Sequence, residues 1–236
     1  MKKNKSFLCI IPAREGSKGI INKNIVDLNG SPLISYVIIA AMESKIFDKI
    51  IVSTDSKQIA QIAEEYNAEI PFIRPSYLAT DDSKVEDTIV HALQYIEKHD
   101  KKYDYVCLLQ PTSPLVKYFD IEKAVDLIFE KNGDMVVSVG ESPINMQWSA
   151  SLSKDLSMKN FSYGIYGTNR QSCGGTYYLN GAIYIGKWNI FYEKKNYYKQ
   201  NTYAYIMPYE KSIDIDSKFD LKMVEYLIKE NNDIKN

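Results

Sequence analysis

The chain has 236 residues, with 29 Lys and Arg against 30 Asp and Glu for a formal charge of -1. That length fits one generous domain with a full hydrophobic core, and the balanced charge excludes the basic footprint of a nucleic-acid binder, so an anionic ligand needs a local site. Three separated cysteines, Cys9, Cys107 and Cys173, form no Cys-x-x-Cys pair, which excludes a disulfide framework or zinc site and predicts a cytoplasmic protein.

Met1 to Lys5 followed by the apolar run Phe7 to Ala13 has the outline of a secretory leader, but Arg14 and Glu15 end the run at once. A buried first strand is expected instead. Ser31 and Pro32 predict a cap and first-turn proline for a helix through Ala41. The apolar stretch Leu33 to Met42 in that helix is broken by Ser35 and Tyr36 and is about half a membrane span, so no membrane contact is expected. Lys49 to Ser53, Tyr105 to Leu109 and Met135 to Val139 read as further strands. Between them, Ser83 with Glu86 predicts a capping box for a helix through Glu97, and Asp120 predicts the cap of a helix that stops near Gly133. Short Val- and Ile-rich strands alternating with helices imply an α/β fold with a parallel sheet covered on both faces.

After residue 140 the period is lost. Glu141 to Gly175 mixes Pro, Gly, Ser and Asn with several aromatics, which predicts an ordered excursion from the sheet. Ala182 to Ile185 and Tyr203 to Met207 then read as strands, and Lys218 to Lys229 as a closing helix. The expected division is an α/β core at 1–140, an excursion at 141–180 and a return to the core at 181–236. His91, on a helical face with apolar neighbours, is expected to be a packed histidine.

Two segments can carry chemistry. Pro12-Ala-Arg-Glu-Gly-Ser-Lys-Gly19 follows the first strand directly, where ligands of an open parallel sheet bind. Gly16 and Gly19 permit tight turns that aim N–H groups at phosphate oxygens, and Arg14, Lys18 and Lys23 supply positive charge. Alone, this basic glycine loop fits an ordinary turn equally well. In Ser212-Ile-Asp-Ile-Asp216, an extended backbone puts Asp214 and Asp216 on one face and Ile213 and Ile215 toward the core. Two adjacent carboxylates suit magnesium between them; equally, Asp216 or Ser217 could cap the next helix while Asp214 is solvated.

Six segments, in order and over nearly the whole chain, resemble the acylneuraminate cytidylyltransferases, the CMP-sialic acid synthetases: Ile11 to Gly19 with Lys23-Asn24, Ile51-Val-Ser-Thr-Asp55, Arg74-Pro-Ser-Tyr-Leu-Ala-Thr-Asp81, Leu108-Leu-Gln-Pro-Thr-Ser-Pro-Leu115, Asn180-Gly-Ala-Ile-Tyr184 and Ser212 to Asp216. The resemblance implies a Rossmann-like three-layer, mostly parallel sheet with a small dimerisation excursion. It further implies transfer of CMP from CTP to the anomeric hydroxyl of an acidic nine-carbon sugar, with pyrophosphate released. By the same resemblance, Arg14, Ser17, Lys18, Gly19, Lys23, Asn24 and Arg74 hold the nucleotide, and Arg14 and Lys23 balance the departing pyrophosphate. Gln110, Arg170, Tyr178 and Asn180 face the sugar or product, Asp214 and Asp216 bind Mg2+, and the enzyme is a homodimer.

Departures from the family pattern concern the base and the sugar. Lys84-Val85 replaces small hydroxyl residues near the base, Ser142-Pro-Ile-Asn145 replaces a His-Pro pair, and Tyr178 stands where many sialate enzymes carry arginine. Legionaminic acid or another nonulosonic acid is therefore expected as readily as sialic acid. The competing readings are another acidic sugar such as 3-deoxy-octulosonate, another nucleotide, or a catalytically silent nucleotide-binding dimeric scaffold.

Overall fold

A computed structural model describes residues 4–17, 19–144, 149–158, 175–193, 197–198 and 201–233. In chain order the elements are β1 (Phe7–Pro12), a minimal hairpin of β2 (Asp27–Leu28) and β3 (Ser31–Pro32), α1 (Leu33–Ser44), β4 (Lys49–Ser53), α2 (Lys57–Glu65), α3 (Val85–His99) and β5 (Tyr105–Leu109). Then come α4 (Tyr118–Glu130), β6 (Met135–Glu141), β7 (Tyr177–Lys187), α5 (Trp188–Tyr192), β8 (Thr202–Met207) and α6 (Lys218–Asp233).

Six strands form one sheet in the order β4-β1-β5-β7-β6-β8. β4, β1 and β5 are mutually parallel, and β6 runs parallel to β8, while β7 lies antiparallel between β5 and β6. Side chains alternate across each strand, so β1 feeds both faces. Phe7, Cys9 and Ile11 join one buried cluster with residues of α1, α2 and α4, and Leu8 and Ile10 join another with residues of α3 and α5. β5 divides likewise, with Cys107 and Leu109 on the first side and Val106 and Leu108 on the second. The result is the expected three-layer α/β sandwich. His91 is packed as expected, its ring edge-on to Phe72 at 4.8 Å.

The predicted helix ends need correction. Ser31 and Pro32 do not cap α1 from its first turn; they pair with Leu28 and Asp27 in the hairpin, and α1 starts at Leu33. Ser83 makes no capping box with Glu86, because its hydroxyl donates to the Tyr77 carbonyl oxygen at 3.0 Å and accepts from the Thr80 N–H at 3.1 Å. Asp120 does cap α4, but from inside its first turn rather than from the N-cap position: its carboxylate accepts the Lys117 N–H at 2.9 Å in a capping box.

The strand expected at 182–185 extends back to Tyr177, whose partner is Glu141. Residues 142–176 therefore leave and re-enter the sheet at neighbouring positions. Pairing slips between Val137 and Val139, which face Tyr184 and Leu179, and the surplus residues of β7 bulge at Asn180-Gly181. Gly181 takes φ +74° there, a conformation that a side chain disfavours.

Candidate active site

The first site segment owes its shape to a small core separate from the main sheet. Ile20 and Leu28 meet Leu33, Leu115, Ile215 and Val224 in one buried cluster, so the loop after β1, the segment before α6 and α6 itself are packed together. Gly19 marks the point of contact: a Cβ there would lie 2.2 Å from the Asp216 carbonyl oxygen. Only glycine lets the two backbones approach so closely. The same packing brings Lys23 to Asp216, with Nζ 2.8 Å from Oδ1.

Around this contact lies a cavity of about 430 Å³, at the carboxyl ends of β1 and β5. Of the residues expected at the nucleotide, Arg14, Ser17, Gly19, Lys23, Asn24 and Arg74 all line it, joined by Gln110 and Asp216. Lys18 and Arg170 lie outside the described residues.

The roles within that lining differ. Asn24 is buried and its amide donates to the Arg14 carbonyl oxygen at 2.8 Å, while the Ser17 hydroxyl donates to the Ile20 carbonyl oxygen and accepts from the Lys23 N–H at 3.2 Å. Both shape the loop. Arg14 points across the cavity, with Nη2 2.8 Å from Asp81 Oδ1 and Nη1 donating to the Ala79 carbonyl oxygen at 3.4 Å. Arg74 forms part of the wall and is 5% exposed. Its Nη1 donates to Thr88 Oγ1 at 3.3 Å and its Nη2 lies 3.6 Å from Asp55 Oδ1, leaving Nε and Nη2 without a hydrogen bond. Burial lowers its pKa, with Asp55 opposing. Buried orphan donors are costly, and here they adjoin a cavity able to hold an acceptor. Asp55 also accepts the Glu15 N–H at 3.1 Å, tying the loop after β1 to β4.

Asp214-Ile-Asp216 divides this cavity from a second one. Ile215 is fully buried while the flanking aspartates stay exposed, as the two-residue period predicts. Asp216 lines the first cavity, whereas Asp214 lines the second, of about 390 Å³, together with Tyr178 and Asn180. Although Asp214 has an exposed surface, burial of its carboxyl raises its pKa; a hydrogen bond with Thr112 opposes that rise, and the negative charge of Asp216 adds to it. An oxygen-only pair of mutually repelling carboxylates beside a cationic cavity fits a hard divalent ion. The helix-cap alternative also proves partly correct. Ser217, not Asp216, closes a reciprocal cap with Asp220, whose carboxylate accepts the Ser217 N–H at 2.7 Å and whose own N–H reaches Ser217 Oγ at 3.3 Å. That leaves Asp216 for Lys23.

In the second cavity, Asn180 is a scaffold residue. Its oxygen accepts from Ser138 Oγ at 2.6 Å and from the Ala182 N–H at 3.2 Å, and its amide donates to Ser212 Oγ at 3.0 Å and to Met207 Sδ at 3.3 Å. Tyr178 rests where a Cβ on Gly140 would touch its ring at 2.8 Å, and its hydroxyl donates to the Ser212 carbonyl oxygen at 3.2 Å. Burial raises its pKa. Both residues therefore fix the segment that carries Asp214.

Asp55, Asp81, Thr88 and Thr112 escaped the reading of the sequence as site residues. Asp55 and Asp81 end two of the motifs quoted above, and that position was the available signal.

A family model described as "Cytidylyltransferase" matches residues 8–234. The chain is 39% identical over 228 residues to the CMP-N,N'-diacetyllegionaminic acid synthase of Legionella pneumophila, covering 95% of this chain and 97% of that one. It is 40% identical over 221 residues to the N-acylneuraminate cytidylyltransferase of Escherichia coli, covering 92% of this chain and 51% of the relative. Among solved structures, CMP:2-keto-3-deoxy-manno-octonic acid synthetase in complex with CTP superposes with a TM-score of 0.70, at 15% identity, over 96% of this chain and 99% of its own.

Proposed function

The chain belongs to the cytidylyltransferase family, and on that premise we propose that it transfers CMP from CTP to the anomeric hydroxyl of a nonulosonic acid, releasing pyrophosphate. The observation that carries the proposal is the arrangement of Arg14, Lys23 and Arg74 around one cavity whose wall ends in Asp216, with Asp214 turned into the adjoining cavity. Two ligands brought together at that wall would be the nucleotide and the sugar. The relatives at 39% and 40% identity are named for legionaminic and neuraminic acid products, which supports a nine-carbon acidic acceptor over 3-deoxy-octulosonate. A silent scaffold has no physical need for cations and carboxylates gathered this way.

In this reading the attacking hydroxyl displaces pyrophosphate at the α-phosphorus in line, and charge gathers on phosphoryl oxygens. Arg14 and Lys23 line the cavity and would offset the charge of the departing pyrophosphate. Arg74 offers its Nε N–H, which has no hydrogen-bond partner, to the nucleotide, and Gln110, on the lining next to β5, is available to the sugar. Tyr178 and Asn180 position Ser212 and thereby Asp214. Mg2+, held by Asp214 and Asp216, would supply Lewis-acid stabilisation of phosphate oxygens and lower the pKa of the attacking hydroxyl. Among the described residues no third metal-ligating side chain completes that pair, so phosphate and water oxygens would fill the other positions, as magnesium commonly requires.

Tyr178 bears on the sugar. A sugar carboxylate is normally met by arginine or oriented N–H donors, and the Tyr178 hydroxyl is instead bonded to the main chain. We therefore favour a nonulosonic acid other than plain N-acetylneuraminate, such as a legionaminate. The proposed home is the cytoplasm, consistent with free thiols at Cys9 and Cys107; among the described residues no helix is long and apolar enough to cross a membrane.

The test is pyrophosphate release from CTP with N-acetylneuraminate, legionaminate and 3-deoxy-octulosonate, with and without excess chelator. Legionaminate is expected to show the highest kcat/KM, chelator to abolish turnover, and Asp216→Asn to remove most of it with the fold intact. Full activity in chelator would overturn the metal assignment, and a wide preference for N-acetylneuraminate would overturn the reading of Tyr178.

A further inference from the structure

Asp120 does more than cap α4. It is 2% exposed, and a buried charge is costly unless it is paired and hydrogen-bonded. Its Oδ2 accepts the Lys117 N–H at 2.9 Å and pairs with Lys211 Nζ, while Oδ1 accepts from the Tyr205 hydroxyl at 2.9 Å. The cap uses only the first of these bonds. The other two tie α4 to β8 and to the turn Tyr209–Lys211 that follows it. Lys211 is itself held: its side chain is 20% exposed, and Nζ stands 4.3 Å from the centroid of the Phe119 ring. Lys211 directly precedes the segment that carries Asp214 and Asp216. From there the chain is fixed at close intervals. The Ser212 N–H donates to the Tyr209 carbonyl oxygen at 3.0 Å, Ser212 Oγ to the Pro208 carbonyl oxygen at 2.9 Å, and the Ile215 N–H to the Thr112 carbonyl oxygen at 2.9 Å. Tyr178 and Asn180 hold Ser212 from β7, and Lys211 holds the neighbouring position from α4.

We propose that Lys211 is a positioning residue for the acidic pair: anchored on buried Asp120, it acts through the backbone to set where Asp214 and Asp216 stand at the wall between the two cavities, and so sets the affinity of that pair for a divalent ion. This rests on the reading of Asp214 and Asp216 as the metal ligands. An ion pair suits the task because it does not tolerate displacement. Moving Lys211 away strands a buried charge, whereas an apolar contact yields gradually. A metal site needs its ligands held to about 0.5 Å, and Asp214 lies three residues beyond Lys211.

The experiment measures Mn2+ binding to the protein alone by electron paramagnetic resonance, with thermal unfolding of the same samples, for wild type, Asp216→Asn, Asp120→Asn and the double variant Asp120→Asn/Lys211→Met. Asp120→Asn keeps an oxygen for the Lys117 N–H and lets Lys211 turn to water. The double variant replaces the pair by neutral groups of similar size, an exchange that buried pairs often tolerate in stability. Both are expected to bind Mn2+ about three- to tenfold more weakly than wild type, at or below the low end for groups bonded directly to a metal ligand, with thermal midpoints within about 5 °C of wild type. Asp216→Asn is expected to lose most of the binding. A pair that served stability alone would lower the midpoint and leave the Mn2+ affinity of the folded protein unchanged. That result would overturn the proposal, as would failure of both pair variants to fold, which would assign the pair to the fold itself. If wild type binds no Mn2+, or Asp216→Asn binds it as well as wild type, the metal reading falls and this proposal with it. If Asp216→Asn loses binding while either pair variant keeps it, the positioning proposal alone falls.

Discussion

Gly16 and Gly19 look alike in the loop after β1, yet the chain uses them differently. A Cβ on Gly19 would collide with the Asp216 carbonyl oxygen at 2.2 Å, whereas one on Gly16 would meet nothing within 4 Å. Gly19→Ala must therefore push the loop off the segment before α6, draw Ile20 from its buried cluster and lengthen the Lys23–Asp216 pair. Forced overpacking of this kind costs about 1–3 kcal/mol, and displacement of the loop is expected to lower turnover more than about tenfold. Gly16→Ala should stay near wild type in thermal midpoint. Equal losses from the two substitutions would show that the close approach at Gly19 is not what the site depends on. The motif made both glycines legible as loop formers, but only long-range packing distinguishes them, because residues 19 and 216 are distant in sequence. The same distance hid the roles of Asn24 and Asn180. The family resemblance implies ligand contacts for both, while their partners, the Arg14 carbonyl oxygen and the Ser138, Ala182, Met207 and Ser212 groups, are supplied by other parts of the chain.

At the level of elements, the antiparallel strand β7 has to be fastened between neighbours that run the other way. Asp134, just before β6, does this at one end of the sheet: its carboxylate is 2.5 Å from Lys187 Nζ at the close of β7 and accepts from Asn201 Nδ2 at 3.1 Å beside β8. Lys187 is the main reason that the Asp134 pKa is lowered, with burial opposing and Asn201 assisting. A depressed folded pKa contributes stability that is fully present above the unfolded value of about 3.9 and is lost as pH falls through the folded value. With both side chains well exposed to solvent, screening limits the contribution to about 0.5–1 kcal/mol. Asp134→Asn is expected to lower the unfolding free energy measured by urea titration at pH 7 by that amount, and the difference from wild type is expected to shrink below about pH 3; a difference that grows on acidification would contradict the assignment. The strands themselves were legible, since β1, β4, β5 and β6 are apolar on both faces and read as such. What the pattern did not contain was direction. Nothing in Ala182 to Ile185 says that the strand runs antiparallel or begins at Tyr177, because that follows from where residues 142–176 re-enter the sheet. The helix caps failed for a related reason: Ser31 and Ser83 have local partners in a hairpin and a turn that compete with a capping role.

For the molecule as a whole, the unresolved account is one of apolar surface. Large side chains that should be inside are outside along the excursion and its junction with β7: Ile144, Leu152, Leu156, Met158, Tyr177 and Leu179 are all exposed, Leu156 by 73% and Leu179 by 51%. Single exposed apolar residues are ordinary, whereas a concentration in one segment marks an interaction site. The segment starts and ends on paired strands, Glu141 opposite Tyr177. A second copy of the chain is the proposed partner, and an isologous contact would let each copy cover the other with the same residues. Such a dimer would also brace β7 near Tyr178 and Asn180, which hold the Ser212 segment, linking assembly to the position of Asp214. Sedimentation at micromolar concentration is expected to give twice the 27.1 kDa chain mass. Leu179→Glu, a substitution on an exposed strand position that leaves the buried alternation of β7 intact, is expected to shift the protein toward monomer and to lower kcat/KM for the sugar more than the affinity for CTP, since the proposed CTP site is the other cavity. A wild-type monomer with full activity would refute the dimer and leave the excursion as a cover for the acceptor site. A monomeric Leu179→Glu with unchanged sugar kinetics would instead sever assembly from catalysis and confine the effect of the interface to stability.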